Sequence, residues 1–365
     1  MLTYRRRSTL HLFTLVFALV AGLAIALGAM LSAAQAAPVG TLKQFRVPTD
    51  NSQPRYIAEG SDGNLWFTEG NEIFTPNPDP NTGGTFHRNI GKITPTGEIT
   101  EFPIEGRDPD NPLPTQCDCL LNDIVQGPDD ILYFTTNSNS LGRITTEGTL
   151  LPFIQTQFAV GDHLARHGDD LWINDFNNRS IWRYNITNDA FTEFPISNLG
   201  PSSIAVDDNG IVWFTDAVLP NDPSSRVQGV IGRLDPADGG SFTTFNVEGL
   251  PGDVSIATDG AVWFTERFTP QGVGRLEPAT GASTVFAVDG GPEEIAPAAG
   301  GSMWFTRSTA GNIARISPDG EITAQSKAVK GSETFGITVA SNPPNDGNPW
   351  FTMTSANKIA TFQLR

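Results

Sequence analysis

Positive charge is scarce in this chain. Its 23 lysines and arginines stand against 40 aspartates and glutamates, for a formal charge of −17 over 365 residues. A nucleic-acid surface needs clustered Lys and Arg to neutralise phosphates, so nucleic acid is not an expected partner. Charge of either sign is thin, at 17%, and heptads are lacking, which argues against long solvent-facing helices. Cysteine is nearly absent. Cys117 and Cys119, separated by Asp118, cannot complete a zinc site, which wants four ligands. In an oxidising compartment they close a small strained ring or stay as thiols. The chain has no Gly-x-Ser-x-Gly elbow, no His-Glu-x-x-His and no phosphate-cradling Gly loop before a helix.

Long apolar runs are also missing after residue 31. The one such run, 12–31, follows Arg5, Arg6 and Arg7 and precedes Ala34-Gln35-Ala36. Basic start, apolar stretch and small-x-small site are the order of a secretory signal. Residues 1–36 are read as that signal, cleaved or kept as an anchor, and Arg6-Arg7 leaves the Sec and twin-arginine routes both open. The chain is therefore expected to be exported, periplasmic or extracellular, with no other membrane segment. All 40 acidic residues lie in 37–365, the expected single domain.

Turn formers are abundant instead, with 37 glycines and 27 prolines, and they punctuate a repeat. Trp66-Phe67-Thr68 recurs as Tyr133-Phe134-Thr135, Trp172-Ile173-Asn174, Trp213-Phe214-Thr215, Trp263-Phe264-Thr265, Trp304-Phe305-Thr306 and Trp350-Phe351-Thr352. An aliphatic strand and a tight turn such as Asp62-Gly63 or Asp259-Gly260 precede each copy. A strand of the form Ile90-Gly91-Lys92-Ile93 or Val273-Gly274-Arg275-Leu276 follows, then one like Ile99-Thr100-Glu101-Phe102. Four short strands cannot bury a face alone and must stack on neighbours. The expected fold is all-β: a seven-bladed β-propeller of four-stranded antiparallel blades. The last unit ends after its third strand, and 40–45 has the form of the missing fourth. The N-terminal strand should therefore complete the C-terminal blade and cover two strand edges.

Alternating strand direction brings the start of strand one and the end of strand two to one face, near the central channel. The long insertions, 70–89, 103–120 and 217–230, fall on that face, where long loops are often functional. Strand-one starts supply Arg55, Asn122, Asp123, Asp162, His163, Ser202, Asp253, Glu293, Glu294, Glu333 and Phe335. Strand-two ends supply Glu69, Thr136, Asp175, Asp216, Glu266, Arg307 and Met353. Crowded carboxylates either hold a hard cation, Mg²⁺ or Ca²⁺, or form a solvated acidic rim. Glu69, Asp175, Asp216 and Glu266 are the expected metal ligands. Arg55, Asn122, Asp123, Asp253, Glu293, Glu294 and Arg307 are expected to face a ligand. His163, beside Asp162, is either a general base or a hydrogen-bonded rim residue.

The units aliphatic-x-x-x-Asp-Gly-x-(Leu/Val)-Trp-Phe-Thr-Glu, Ile-Gly-Arg-Ile and Gly-x-Ile-Thr-Glu-Phe resemble the virginiamycin B lyase (streptogramin lyase) family, best at 61–69 with 90–102 and at 258–266 with 273–276. The resemblance implies a magnesium-dependent elimination that opens a cyclic depsipeptide at its ester without water. It also implies a histidine in a Pro-His-Gly-Ile strand start in each of the last two blades, an acid before the final histidine, and the Glu of the last Trp-Phe-Thr-Glu. A neutral imidazole takes the proton α to the ester carbonyl while the metal stabilises the enolate. In this chain the histidine places are Glu293 and Phe335 and the closing glutamate is Met353. Glu333 alone keeps its type. Three readings follow: a binding module for a small-molecule or protein ligand at the upper face; a metal-assisted lactonase or esterase using carboxylates around the axis; and a residual lyase acting through His163 with Glu333. A monomer is expected.

Overall fold

The computed structural model describes residues 40–71, 73–76, 84–105, 120–218, 228–268, 271–342 and 347–364. The signal segment 1–36, Cys117 and Cys119 lie outside the described residues. Seven antiparallel sheets follow one another along the chain. Their first strands are Pro54–Glu59, Leu121–Gln126, Leu164–His167, Ile204–Val206, Pro251–Ile256, Pro292–Pro297 and Thr334–Val339. Each first strand touches those of the two neighbouring sheets, and Pro54–Glu59 touches Thr334–Val339, so the cycle closes. These are the innermost strands of a seven-bladed propeller. Among the described residues no helix is long and apolar enough to cross a membrane.

The closing strand is the N-terminal one. Gly40–Arg46 runs antiparallel to Lys358–Leu364, from Gly40 opposite Leu364 to Arg46 opposite Lys358. Its Phe45 stacks on Trp350, with ring centroids 5.8 Å apart. In blade one the same service comes from the blade's own fourth strand, where Phe102 stacks on Trp66 at 5.4 Å. The latch thus supplies a packing ring as well as backbone pairing, and it covers the edge that Lys358–Leu364 would otherwise leave open.

Alternation along the second strand explains why its sequence repeats. Successive side chains point to opposite faces, so the tryptophan packs towards one neighbouring blade and the phenylalanine towards the other. Trp66 lies with Leu132, Phe134 and Ile144 of blade two, while Phe67 lies with Trp350 of blade seven. The glycine of the third strand sits directly opposite that phenylalanine. A Cβ on Gly91 would come within 2.1 Å of the Phe67 ring. Blade three inverts the pair: Ile173 stands opposite Trp182, which stacks on Phe158 at 4.3 Å. Bulk lost from one strand is restored on its neighbour, as close packing requires.

Two of the insertions lengthen strands at the upper face. Ile73–Pro76 pairs with the start of Gly84–Ile93, and Val212–Val218 pairs with Gln228–Asp235 out to Val218 opposite Gln228. At the opposite face, Gly63 and Gly260 adopt φ of 72° and 82°, the left-handed turn geometry that a side chain would disfavour.

Candidate functional site

The threonine of Trp-Phe-Thr holds the upper end of each innermost strand. The Thr135 hydroxyl accepts from the Asp123 amide at 3.0 Å, Thr265 from Asp253 at 3.0 Å, Thr306 from Glu294 at 3.0 Å and Thr352 from Gly336 at 2.9 Å. Of these hydroxyls, Thr265 also donates to the next blade, to the Glu293 carbonyl at 2.9 Å, and Thr352 to the Arg55 carbonyl at 2.6 Å. Asn174 replaces threonine in blade three and does both jobs. Its Oδ1 accepts from the His163 amide at 3.0 Å, and its Nδ2 donates to the Ser202 carbonyl at 3.0 Å. These bonds define one equivalent position per blade: Tyr56, Asp123, His163, Ser203, Asp253, Glu294 and Gly336.

Two carboxylates in this ring are braces. Asp123 accepts from the amides of Ile124 at 2.8 Å and Leu164 at 2.9 Å, tying blade two to blade three. Asp253 accepts from the Val254 amide at 2.9 Å, the Ser203 hydroxyl at 2.7 Å and the Ile295 amide at 2.9 Å, tying blades four, five and six. Burial pushes the Asp123 carboxyl up to about 6, although nearby His163 and the two amides pull it down. Glu294 is raised well above the usual carboxylate range by burial and then by Asp253 and Asp123. The Tyr56 hydroxyl is likewise raised, by burial first and Glu294 second.

One nitrogen of His163 and one oxygen each of Asp253 and Glu294 lie within 4.8 Å of one another. Above them opens a cavity of about 400 Å³, lined by Arg55, Tyr56, Asp162, His163, Asp253, Arg267, Phe268, Glu293, Glu294 and Phe335 among others. Arg267, Glu293 and Phe335 also border an adjoining cavity of about 460 Å³ that Glu333 lines. At the rim, Arg267 pairs with Glu293 at 2.8 Å. The Arg55 guanidinium lies 4.9 Å from the Phe335 ring centre, within cation–π range, and reaches Asn122, which donates to Asp162 at 2.8 Å. Phe268 is 60% exposed.

Of the residues singled out in the sequence, Arg55, His163, Asp253, Glu293 and Glu294 therefore meet at one cavity, Asp123 and Asn122 support it, and Glu333 borders its neighbour. The strand-two ends do not join them. Among the described residues, no three of Glu69, Asp175, Asp216 and Glu266 converge as metal ligands would. They sit one strand further from the axis and are buried. Glu69 accepts from Asn89 at 3.0 Å, Glu266 from the Leu250 amide at 3.0 Å, and Asp175 from the Asn178 amide and side chain. Arg307, expected to face a ligand, is instead buried and bonded to Asp289 and Gln325. Burial raises Glu69 to about 8 and Glu266 to about 7. Sequence reasoning missed Tyr56, Arg267 and Phe268. Tyr56 was legible, since it holds the ring position one residue after Arg55. Arg267 and Phe268 lie just beyond the repeating pattern, which carries no signal for them.

The residues that the resemblance assigns to magnesium do not fit that ion. Met353 is fully buried beside Trp304 and Phe351 and offers a thioether, where a hard cation needs oxygen. Glu333 has φ of 43° and its carboxylate accepts from the Ser355 hydroxyl.

A search of curated proteins finds no match. A streptogramin B lyase structure superposes with a TM-score of 0.68 at 22% identity, covering 89% of this chain and 98% of that one. Virginiamycin B lyase from Staphylococcus aureus gives 0.66 at 24% identity, covering 89% and 99%. A catalytically inactive histidine-to-alanine variant of that lyase, described with quinupristin, gives 0.66 at 23% over the same shares. At these identities the likeness is one of fold. The family itself rests on the model of the virginiamycin B lyase family, which matches residues 32–221 and 224–365, and the chain belongs to that family.

Proposed function

We propose that this protein is a binding propeller that seats a small peptide-like molecule in the upper cavity and does not open streptogramins by its relatives' route. The observation that carries the reading is Phe335. By the resemblance it stands where the relatives hold a proton-abstracting histidine, and here an arginine packs on its ring. A phenyl ring takes no proton, and a histidine-to-alanine variant of one relative is catalytically inactive. Phe268 and Phe335 offer apolar surface, and Arg55 and Arg267 offer donors for carbonyl oxygens. That mixture suits a ligand combining rings with amides.

The test incubates purified protein with a streptogramin B antibiotic and Mg²⁺. The reading expects the intact ring by mass spectrometry, with saturable binding by calorimetry that Arg267→Ala weakens. Ring opening overturns it and restores the lyase reading through His163 and Glu333. The hydrolase reading draws on one observation, the convergence of His163, Asp253 and Glu294, and an ester substrate cleaved with uptake of water would establish it. Export through 1–36 and a monomeric state belong to the same proposal. The mass of the secreted chain and its sedimentation check them.

A further inference from the structure

We propose that the floor of the upper cavity is a site for a first-row divalent cation, Mn²⁺ or Zn²⁺, held by His163, Asp253 and Glu294. The site is separate from the place where the family resemblance puts magnesium. It is also independent of any organic ligand above it.

Four observations carry the inference. The three donors belong to blades three, five and six, yet occupy the same position in each, with their backbone amides pinned at 3.0 Å by Asn174, Thr265 and Thr306. They converge because the propeller turns one position into a ring, and rigid elements make precise ligand sets. Next, the donor atoms lie within 4.8 Å of one another, a small side-chain movement from the separations of up to about 4.4 Å that bonds of about 2.0–2.2 Å set around one ion.

The third observation is the state of the individual groups. The His163 ring meets Tyr56 edge-on at 5.6 Å, and among the described residues it makes no hydrogen bond, so a nitrogen is free to coordinate. Asp253 is oriented by two amides and the Ser203 hydroxyl, the kind of outer support that fixes a ligating carboxylate. The fourth is Glu293, which lines the same cavity. Its side chain is 9% exposed, and Oε2 is buried with no partner. Glu293 is not one of the converging ligands and its Oε1 pairs with Arg267 at 2.8 Å, but a cation in the cavity they share would lessen the cost of leaving its buried Oε2 unpaired.

Donor chemistry selects the ion. Mg²⁺ and Ca²⁺ favour all-oxygen shells, whereas a set mixing one imidazole with two carboxylates suits first-row transition ions, the imidazole favouring Zn²⁺ and the carboxylates accommodating Mn²⁺. Three protein ligands beneath an open cavity leave positions for water or a ligand group, as in sites that act on a bound molecule.

The test uses the full chain, stripped with chelator and titrated with each metal alone. Mn²⁺ is followed by paramagnetic resonance, Zn²⁺ by calorimetry, and both by the rise in Tm that binding to the native state produces. The expected result is one Mn²⁺ per chain with nitrogen coupling in the pulsed spectrum, and Mg²⁺ and Ca²⁺ at least tenfold weaker. His163→Gln should erase the nitrogen coupling and weaken binding tenfold or more. Glu294→Gln should weaken it similarly, and Glu69→Gln should leave it unchanged. Asp253→Asn is avoided as the deciding variant because Asp253 also braces three blades. Failure of the stripped protein to take up Mn²⁺ or Zn²⁺ at millimolar concentration overturns the inference. So does binding that His163→Gln leaves intact, or a preference for Mg²⁺ or Ca²⁺. Metal uptake without antibiotic binding upholds this site and removes only the ligand reading above.

Discussion

Two tiers of carboxylates stand at the same end of the propeller, and they differ by one strand. The inner tier, Asp123, Asp253 and Glu294, lies on first strands around the axis beneath the upper cavity. The outer tier, Glu69, Asp175, Asp216 and Glu266, ends second strands and is sealed between local partners. Both tiers contain carboxyls raised by burial, Asp123 to about 6 and Glu69 to about 8. A raised carboxyl therefore does not mark the site by itself. What separates the tiers is convergence: equivalent first-strand positions face one another across the channel, and equivalent second-strand ends do not.

The comparison breaks most visibly at Asp253. Asp253→Ala leaves the Val254 and Ile295 amides and the Ser203 hydroxyl without their acceptor. Lost buried partners of this kind should cost on the order of 4 kcal/mol in denaturant unfolding. A loss below about 1 kcal/mol would deny Asp253 its bracing role.

Glu69 should behave oppositely. Its folded carboxyl titrates near 8 against 4.5 for the free group. Below the lower value both states are protonated. Between the two, the folded state alone keeps the proton, so stability is lost as pH rises through this window. Glu69→Gln carries no ionisable group, and should flatten the profile and stabilise the fold by on the order of 3 kcal/mol at pH 9. Glu266, raised only to about 7 and as fully buried, should follow the same sign with a smaller gain, on the order of 2 kcal/mol, because its shift is smaller. Urea unfolding across pH 5–9 reads both. A stability that climbs with pH in this range would reverse the assignment. His163→Gln should change stability least, within about 0.5 kcal/mol, because the His163 amide rather than its ring is bonded to Asn174. Its effect should appear in metal binding alone.

The sequence made the scaffold legible because packing repeats strictly. Trp-Phe-Thr fixes a ring for each neighbour and a hydroxyl for the next blade, so seven copies announced seven blades. The match between 40–45 and 97–102 announced the latch that pairs Gly40 with Leu364. The upper face was legible from strand direction, and with it Arg55, His163, Asp253, Glu293 and Glu294. The two tiers were not distinguishable there. Residue type is the same in both, and the sequence alone does not state which end residues a second strand buries between blades. Arg307 illustrates this: a lone charge in the pattern looked like a ligand contact, but the fold closes over it with Asp289 and Gln325.

The most direct measurement is a crystal structure of the chelator-stripped protein soaked in Mn²⁺, read by anomalous scattering. The account predicts a single peak on the axis between His163, Asp253 and Glu294. A peak at Glu69, Asp175, Asp216 or Glu266, at Glu333, or no peak at all would contradict it.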